Sequence, residues 1–327
     1  MGCLNPGNPP VRAAVGDGRS AGSTVMIGTT ITLQAPSDFN FRRTIYSHGW
    51  SELLPFSCDR DRGSLQRLLC LADDTHVLCD LTAPVHDVRA RLHTHQALTH
   101  TQKGVVRHVL RSCLRMDEPL SEFHAAVRKY PAYRWIARTR SGRILRSPTV
   151  FEDVVKMMCT TNCTWALTTL MVSKLVREFG PAFDHDRSGF PEPATIAGVS
   201  EHALRTRCTT GYRAPFILAF ADRVASGNLD VEGWRTSGLS TEELSREIRT
   251  VKGIGPYAAG NLLRLLGRYE HLALDSWVRG KFMELHTRGR RVKDATIEKR
   301  YQGYGMWRGL IFWLEMTRYW HDDKFPP

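Results

Sequence analysis

The sequence lacks the features that mark membrane-spanning, secreted and zinc-stabilised proteins. It contains no apolar run of about 18 residues, the length that a membrane-spanning helix needs, so we expect no membrane association. It has eight cysteines in 327 residues, and none of them form a Cys-x-x-Cys pair. Cys159 and Cys163 lie four residues apart without a second pair, so we predict no metal site. Scattered cysteines in apolar segments are typical of reduced thiols in a protein core.

Acidic residues are also scarce relative to basic ones. The chain carries 45 lysines and arginines against 33 acids, which gives a formal net charge of +12. A basic surface attracts polyanions, and nucleic acid is the commonest such partner. The hydrophobic fraction of 42% and the charged fraction of 24% are ordinary for a globular protein. The composition therefore predicts a folded protein that binds nucleic acid.

Local patterns divide the chain into a leader and two domains. Residues 1–25 are rich in glycine, proline, alanine and serine and lack the hydrophobic segment of a secretory signal, so we predict a disordered leader. Residues 26–118 are predicted to form an α+β domain around an antiparallel sheet. Its strand-like segments are 29–34, 44–46 and 75–81. Residues 119–327 change to helical spacing, so the predicted fold class is α+β and mainly helical.

Helical periodicity extends through the second domain, where glycine and proline separate the segments. Thr149 with Glu152 three residues later has the pattern of a capping box, which marks the start of a helix. The spacing predicts helices at 121–129, 149–158, 165–179, 201–208, 213–225, 241–251, 257–266, 276–285 and 307–319, after a helix at 105–114 that closes the first domain.

The most informative stretch is 251–260, which reads Val-Lys-Gly-Ile-Gly-Pro-Tyr-Ala-Ala-Gly. Gly253 and Gly255 permit a tight turn and the close approach of another backbone. The apolar helix that follows begins with free amide hydrogens and a positive dipole end, which suit a DNA phosphate. Asp275 follows 18 residues after Tyr257 in an otherwise apolar segment. Taken alone, an acid in that place is most often a helix cap.

Together, the glycine turn, its two helices and the downstream acid resemble the helix-hairpin-helix (HhH-GPD) superfamily of base-excision DNA glycosylases. The similarity is to the 8-oxoguanine and AlkA-like branch and covers roughly residues 120–319, while the sheet region would match the extra β-domain of that branch. The resemblance implies double-stranded DNA with a modified base as the partner and Asp275 as the catalytic carboxylate. The candidates for contacts with the DNA backbone are Lys252, Gly253, Gly255, Tyr257, Arg279 and Lys281.

Two further segments resemble the parts of these enzymes that enter the duplex. Asn162 matches a residue that lies near the base left unpaired, and Gly211-Tyr212-Arg213 matches a turn that supplies an aromatic wedge and an arginine. An inserted aromatic ring can hold a base step open, and the planar guanidinium of arginine suits base edges. The structural alternatives are a turn or cap role for Asn162, packing for Tyr212 and a solvated helix start for Arg213.

The base pocket has candidates in both domains. Trp313 matches the position of an aromatic residue that stacks on the extruded base in the 8-oxoguanine relatives. An aromatic residue at helical spacing is otherwise most often part of the core. His48 and Trp50 are the candidates from the N-terminal domain, because related enzymes bring a residue from that domain to the base. A turn followed by a core tryptophan is the alternative there.

Two departures from the family pattern narrow the predicted chemistry. Bifunctional members carry a lysine two residues after the second glycine, where it forms a Schiff base with the sugar. Tyr257 has that position and cannot form an imine, so we predict a monofunctional glycosylase, with Lys252 or Lys281 as an alternative nucleophile. No cysteine follows Cys208, so the iron–sulfur cluster of some members is not expected. We predict no cofactor, although hairpin carbonyls could hold a monovalent cation.

The sequence leaves the excised base open. A damaged purine, alkylated or oxidised, ranks first, because a tryptophan-rich pocket suits electron-poor alkylated purines through cation–π stacking. The alternative is a bulky modified cytosine, such as glucosylated hydroxymethylcytosine of phage DNA, and the role would then be antiviral defence. An alternative of another class is a non-catalytic helix-hairpin-helix module that only grips DNA. We expect a monomer that works in the cytoplasm of a bacterium or the nucleus of a eukaryote.

Overall fold

An N-terminal antiparallel sheet and a larger helical region make up the protein. The computed structural model describes residues 26–321, so the leader predicted over residues 1–25 lies outside the described residues. The strands are β1 (Ile27–Leu33), β2 (Phe56–Asp59), β3 (Ser64–Cys70), β4 (His76–Thr82) and β5 (Val88–Thr94). Their order in the sheet is β1-β5-β4-β3-β2, and all neighbouring strands are antiparallel.

Helices dominate the rest of the described chain. They are α1 (Phe41–Ile45), α2 (His100–Cys113), α3 (Ser121–Arg128), α4 (Arg134–Arg138), α5 (Val150–Thr160), α6 (Trp165–Phe179), α7 (Pro193–Ala197), α8 (Glu201–Arg207), α9 (Ala214–Ala225), α10 (Thr241–Ile248), α11 (Pro256–Leu265), α12 (Ser276–Thr287), α13 (Asp294–Tyr301) and α14 (Arg308–Tyr319). The predicted α+β class with a mainly helical second part is confirmed. Between residues 26 and 321, no helix has the length and apolar character that a membrane crossing requires.

The pattern of burial differs from strand to strand. In β5, Val88, Ala90 and Leu92 are buried and the arginines between them are exposed, as expected for a sheet with one buried face. In β3, five of seven residues are buried, so its sequence does not alternate. The prediction located β1 and β4 and missed β2, β3 and β5.

The strand predicted at residues 44–46 is wrong, because these residues belong to or directly follow helix α1. The side chain of Asn40 caps this helix by accepting a 3.0 Å hydrogen bond from the main-chain N–H of Arg43. Phe41 and Ile45, which are one helical turn apart, are both buried. A cap and a buried helical face therefore override the β-branched composition of this segment.

A buried ion-pair network joins the sheet to helix α5. Arg67 on β3 donates two 2.7 Å hydrogen bonds to Glu152 on α5, and the ammonium of Lys156 lies 2.7 Å from the same carboxylate. Burial by itself raises the pKa of Glu152, but the two cations outweigh burial and lower that pKa to about 2. The predicted capping box is half formed. Thr149 accepts from the Glu152 N–H, but the Glu152 side chain points into the network.

We expect Glu152→Gln to lower the free energy of unfolding by about 3–5 kcal/mol, because it leaves two buried cations without a counter-charge. Urea denaturation followed by circular dichroism measures the change. The matched control is Glu201→Gln, which breaks an exposed pair with Arg205 and should cost at most about 1 kcal/mol. Equal losses from the two variants would show that the network does not hold the sheet against the helices.

Candidate active site

The predicted hairpin forms between helices α10 and α11. Gly253 has a φ of +91°, and a Cβ there would lie 3.1 Å from the Phe216 side chain, so the turn requires glycine at this position. Gly255 precedes α11 in an extended conformation, and Lys252 is exposed beside the turn. The hairpin therefore presents a helix N-terminus together with a lysine, an arrangement that suits a phosphate group.

The three residues predicted to reach the unpaired base lie beside the hairpin. Asn162, Tyr212 and Arg213 share a surface cavity of about 440 Å³ with residues 253–258. The amide of Asn162 donates to the Tyr212 hydroxyl at 3.3 Å. Tyr212 is 47% exposed, whereas Arg213 is 5% exposed and donates to the main-chain oxygen of Thr161. The ring of Tyr212 is therefore accessible at the surface, whereas the side chain of Arg213 is buried. The DNA contacts of both residues stay predictions.

Helix α11 packs directly on the loop of residues 269–274, which leads to Asp275. A Cβ on Gly260 in α11 would lie only 2.9 Å from the Cβ of Ala273. Ala273 itself has a left-handed φ of +53°, which is uncommon for a residue with a side chain. Glycine at position 260 therefore lets the loop approach the helix in this conformation.

Helix α14 contacts the same loop through a second glycine. A Cβ on Gly309 would lie 2.0 Å from the main-chain oxygen of His271, so no other residue fits without moving the loop. The N–H of Gly309 donates to the main-chain oxygen of Tyr269 at 2.7 Å. The segment before Asp275 is thus restrained by both α11 and α14.

Asp275 ends this loop and caps helix α12. Its Oδ1 accepts a 2.7 Å hydrogen bond from the N–H of Val278. The positive end of the helix dipole stabilises negative charge at this position. Asp275 also lines a cavity of about 510 Å³. Asp275 is therefore a helix cap that also lines a cavity. Its catalytic role stays a prediction.

The cavity has largely aromatic walls. Its volume of about 510 Å³ falls within the range of about 300–1,000 Å³ that is typical of small-molecule sites. The predicted pocket residues His48, Trp50 and Trp313 all line it, together with Trp277 of α12. The rings of Trp277 and Trp313 have centroids 6.1 Å apart and are inclined at 58°. The fold therefore gathers the predicted acid and all three predicted pocket residues around one space.

The polar atoms of the three pocket residues are already engaged. The indole N–H of Trp313 donates to the main-chain oxygen of Ser47 at 2.9 Å, and that of Trp50 donates to a buried aspartate at 2.7 Å. Nε2 of His48 lies 2.5 Å from a main-chain oxygen, and burial lowers the pKa of His48 to about 3. His48 is therefore uncharged at neutral pH, and these residues form a fixed wall.

Tyr257 lies in the cavity wall, although it was predicted as a contact to the DNA backbone. It lines this cavity together with Asp275 and Thr160. Burial and then the charge of Asp275 raise the pKa of Tyr257 well above its usual range, so the phenol is neutral and can donate to the carboxylate. Its position follows from helix α11, whose periodicity turns this side chain inward. The structure therefore places a neutral phenol in the same cavity wall as Asp275.

The other two backbone candidates, on helix α12, are paired with acids. Arg279 donates hydrogen bonds of 2.8 and 2.7 Å to Asp294. Lys281 lies 2.8 Å from Glu284, and its Nζ is 4.2 Å from the centroid of the Tyr319 ring. These pairs reduce the positive charge that the two residues offer to phosphates, and their DNA contacts stay predictions.

Sequence reasoning missed Arg264, which lines the same cavity as Asp275. It is 4% exposed, and its Cζ lies 4.3 Å from the centroid of the Trp313 ring. Within residues 26–321, its Nε and Nη2 have no hydrogen-bond partner. A signal was present in the sequence, because Tyr257, Asn261 and Arg264 are spaced i, i+4 and i+7. Three polar side chains therefore share one face of an apolar helix.

Comparison with solved structures shows the fold. MBOgg1 in complex with a low-affinity DNA ligand has a TM-score of 0.69 at 18% identity, over 89% of this chain and 96% of that chain. A 3-methyladenine DNA glycosylase from Archaeoglobus fulgidus has a TM-score of 0.70 at 18% identity, over 88% and 97%. An 8-oxoguanine glycosylase/lyase from Clostridium acetobutylicum has a TM-score of 0.66 at 15% identity, over 89% and 98%. No family model and no curated protein sequence matches the chain. The chain has the fold of these proteins, as its resemblance to the superfamily implied.

We expect Gly309→Ala to displace the loop before Asp275, because the new Cβ would collide with the main-chain oxygen of His271. The free energy of unfolding should fall by about 1–3 kcal/mol, the usual cost of overpacking. The control is Gly280→Ala on α12, where a Cβ meets nothing within 4 Å and should add about 0.5–1 kcal/mol of stability. Urea denaturation measures both variants. A Gly309→Ala protein as stable as the parent would mean that α14 does not restrain the loop.

Proposed function

We propose that the protein is a monofunctional DNA glycosylase, which extrudes a modified base from duplex DNA and hydrolyses its N-glycosidic bond. The observation that carries the proposal is the aromatic cavity that contains Asp275. Tyr257 lines both this cavity and the surface cavity beside the hairpin, so the two spaces are adjacent. A duplex held by the hairpin could therefore deliver a base to the carboxylate.

Binding to DNA would rest on the hairpin and on the basic charge of the chain. The N-terminus of α11 offers amide hydrogens and a positive dipole end to a phosphate, and Lys252 adds a nearby charge. The exposed ring of Tyr212 lies where it could enter the base step that the extruded nucleotide leaves. One chain supplies the hairpin, the wedge and the cavity, which supports action as a monomer.

Extrusion of a base costs a few kcal/mol in lost stacking and pairing. Stacking on an aromatic side chain returns about 1–3 kcal/mol per base. The cavity offers Trp277 and Trp313 for such stacking, and the engaged indole N–H of Trp313 holds its ring in place. These flat walls support a damaged purine, a flat two-ring base, as the first-ranked substrate.

The reaction would depend on Asp275. Departure of the base leaves positive charge on the sugar, and a carboxylate held beside C1′ stabilises that charge. The same carboxylate can orient a water molecule and accept its proton as the oxygen bonds to C1′. The N–H of Val278 fixes the carboxylate in advance, and the neutral phenol of Tyr257 lines the same cavity. His48 is uncharged at neutral pH and would not protonate the departing base.

Hydrolysis without strand cleavage is the second part of the proposal. A lyase reaction of the imine type needs an amine that can attack C1′. Among the residues that the structure describes, no lysine lines the cavity, and Tyr257 stands where bifunctional members of the superfamily carry their lysine. Water is therefore the proposed nucleophile, and an abasic site is the proposed product.

We expect Asp275→Asn to lower the rate of base release by about 100- to 1,000-fold, because an amide cannot stabilise the positive sugar or accept a proton. Asparagine still caps a helix, so the fold should be retained. Single-turnover release from a panel of modified duplexes measures the rate, and a gel-shift assay measures binding. Asp222→Asn on the exposed side of α9 is the control. A parent protein that binds every duplex and releases no base would be the non-catalytic DNA-binding module instead.

We expect no covalent adduct when the parent protein is treated with borohydride during base release, because the phenol of Tyr257 cannot form an imine. Denaturing gel electrophoresis of labelled DNA detects such an adduct, and alkali treatment afterwards reveals the abasic sites. A trapped adduct in the parent would overturn the monofunctional part of the proposal while leaving the glycosylase part in place.

A further inference from the structure

We propose that Arg264 selects the extruded base. Its guanidinium would donate hydrogen bonds to an uncharged base with keto-oxygen or ring-nitrogen acceptors, and it would disfavour alkylated purines that carry a positive charge. This inference rests on the proposed glycosylase function and narrows its substrate class.

The first argument is the unused hydrogen-bonding capacity of Arg264. Its side chain is 4% exposed and lines the cavity, yet Nε and Nη2 have no partner within residues 26–321. Buried donors are almost always paired in native proteins, and leaving them unpaired is costly. The adjacent N–H groups of a guanidinium form a fork that matches two neighbouring acceptors on a base edge. Nε and Nη2 have almost no exposed surface, so a small shift of the side chain would bring them to such an edge, and the base would then supply hydrogen bonds that the protein does not.

The second argument is the charge of the cavity. Burial lowers the pKa of Arg264 to about 10, and the neighbouring Tyr257 and Asp275 oppose this shift, so the group is positively charged at neutral pH. A cationic base would therefore meet a like charge in a largely apolar space, where charges interact strongly. An uncharged base meets no such repulsion.

The third argument concerns Trp313. Its ring already carries the guanidinium of Arg264 at 4.3 Å from its centroid to Cζ, which is a cation–π contact. That contact fixes the position of the guanidinium and uses one face of the ring for a cation. Trp313 therefore offers less to a cationic alkylated purine than a ring with both faces free would offer.

The chemistry of departure points the same way. When the bond between C1′ and an uncharged base breaks, the electron pair stays on the base nitrogen, and the base leaves with negative charge. The guanidinium would stabilise that charge, while Asp275 stabilises the positive sugar and takes the proton of the attacking water. A base that is already cationic leaves as a neutral molecule and needs no such help. Arg264 therefore suits the release of an uncharged base and gives no advantage for a cationic one.

The test compares two damaged purines of similar size in otherwise identical duplexes: 8-oxoguanine, which is uncharged, and 7-methylguanine, which is cationic. A duplex with glucosylated hydroxymethylcytosine adds a second uncharged keto base. Single-turnover rates are divided by the uncatalysed rates. We expect the parent to accelerate release of an uncharged base at least 10-fold more than release of 7-methylguanine.

Variants of Arg264 then separate base selection from a structural role. Arg264→Met should slow release of the uncharged base by roughly 10- to 100-fold, the discrimination typical of a bidentate arginine–base contact, and leave 7-methylguanine unchanged or faster. With the uncharged base, the rate of Arg264→Lys should lie between those of the parent and Arg264→Met, because lysine keeps the charge and loses the paired N–H groups of the guanidinium. The melting temperature of Arg264→Met should equal or exceed that of the parent, since the variant removes a buried cation with unpaired donors. Arg268→Met, outside the cavity, is the control.

The outcomes distinguish this inference from the proposed function. Base selection would be overturned if the parent accelerated release of 7-methylguanine more than release of 8-oxoguanine, or if Arg264→Met slowed release of both bases equally. Either result would leave the glycosylase function intact. Failure of the parent to release any base would overturn the function instead. Binding to duplexes with 2′-fluoro nucleotides, which resist cleavage, still tests the inference in that case. Loss of the preference for the uncharged base in Arg264→Met supports it, and an unchanged preference contradicts it.

Discussion

The geometry of the candidate site depends on how closely three backbone segments approach each other. Gly260 and Gly309 allow α11 and α14 to touch the loop of residues 269–274, where a side chain on either glycine would collide with the loop. The loop then places Asp275 at the start of α12, where the N–H of Val278 holds the carboxylate. Rigid helices therefore set the position of a residue that lies at the end of a loop, as the proposed reaction at a single carbon atom would require.

The electrostatics of the cavity match a reaction that separates charge. Asp275 and Arg264 carry opposite charges on the wall of one space, while His48 and Tyr257 are neutral at physiological pH. Under the proposed function, positive charge develops on the sugar and negative charge on the departing base. A carboxylate and a guanidinium that are fixed in advance would stabilise the two charges without reorganisation of solvent. Because Arg264 is largely buried, its interaction with the negative charge of the departing base would be strong.

The sequence was informative where a local rule controls the structure. The glycine turn of the hairpin and most of the helices after residue 119 follow rules that act over short distances, and the fold contains them. The helices α4, α7 and α13 were not predicted. The sequence was less informative where packing decides. The helix at residues 41–45 and the non-alternating strand β3 depend on burial against distant segments. Arg264 was missed because a single arginine in a helix ordinarily indicates an exposed face, and only the tertiary structure buries it.

The N-terminal sheet region completes the cavity and is joined to the helices by buried polar contacts. His48 and Trp50 supply part of the wall, and the main-chain oxygen of Ser47 holds the indole of Trp313. Close by, the network around Glu152 fastens β3 to α5. A buried ion network contributes little net stability compared with apolar packing, but it tolerates only one arrangement of its partners. We infer that it fixes the position of the sheet region relative to the helices, so that the cavity wall, which both regions form, keeps one shape.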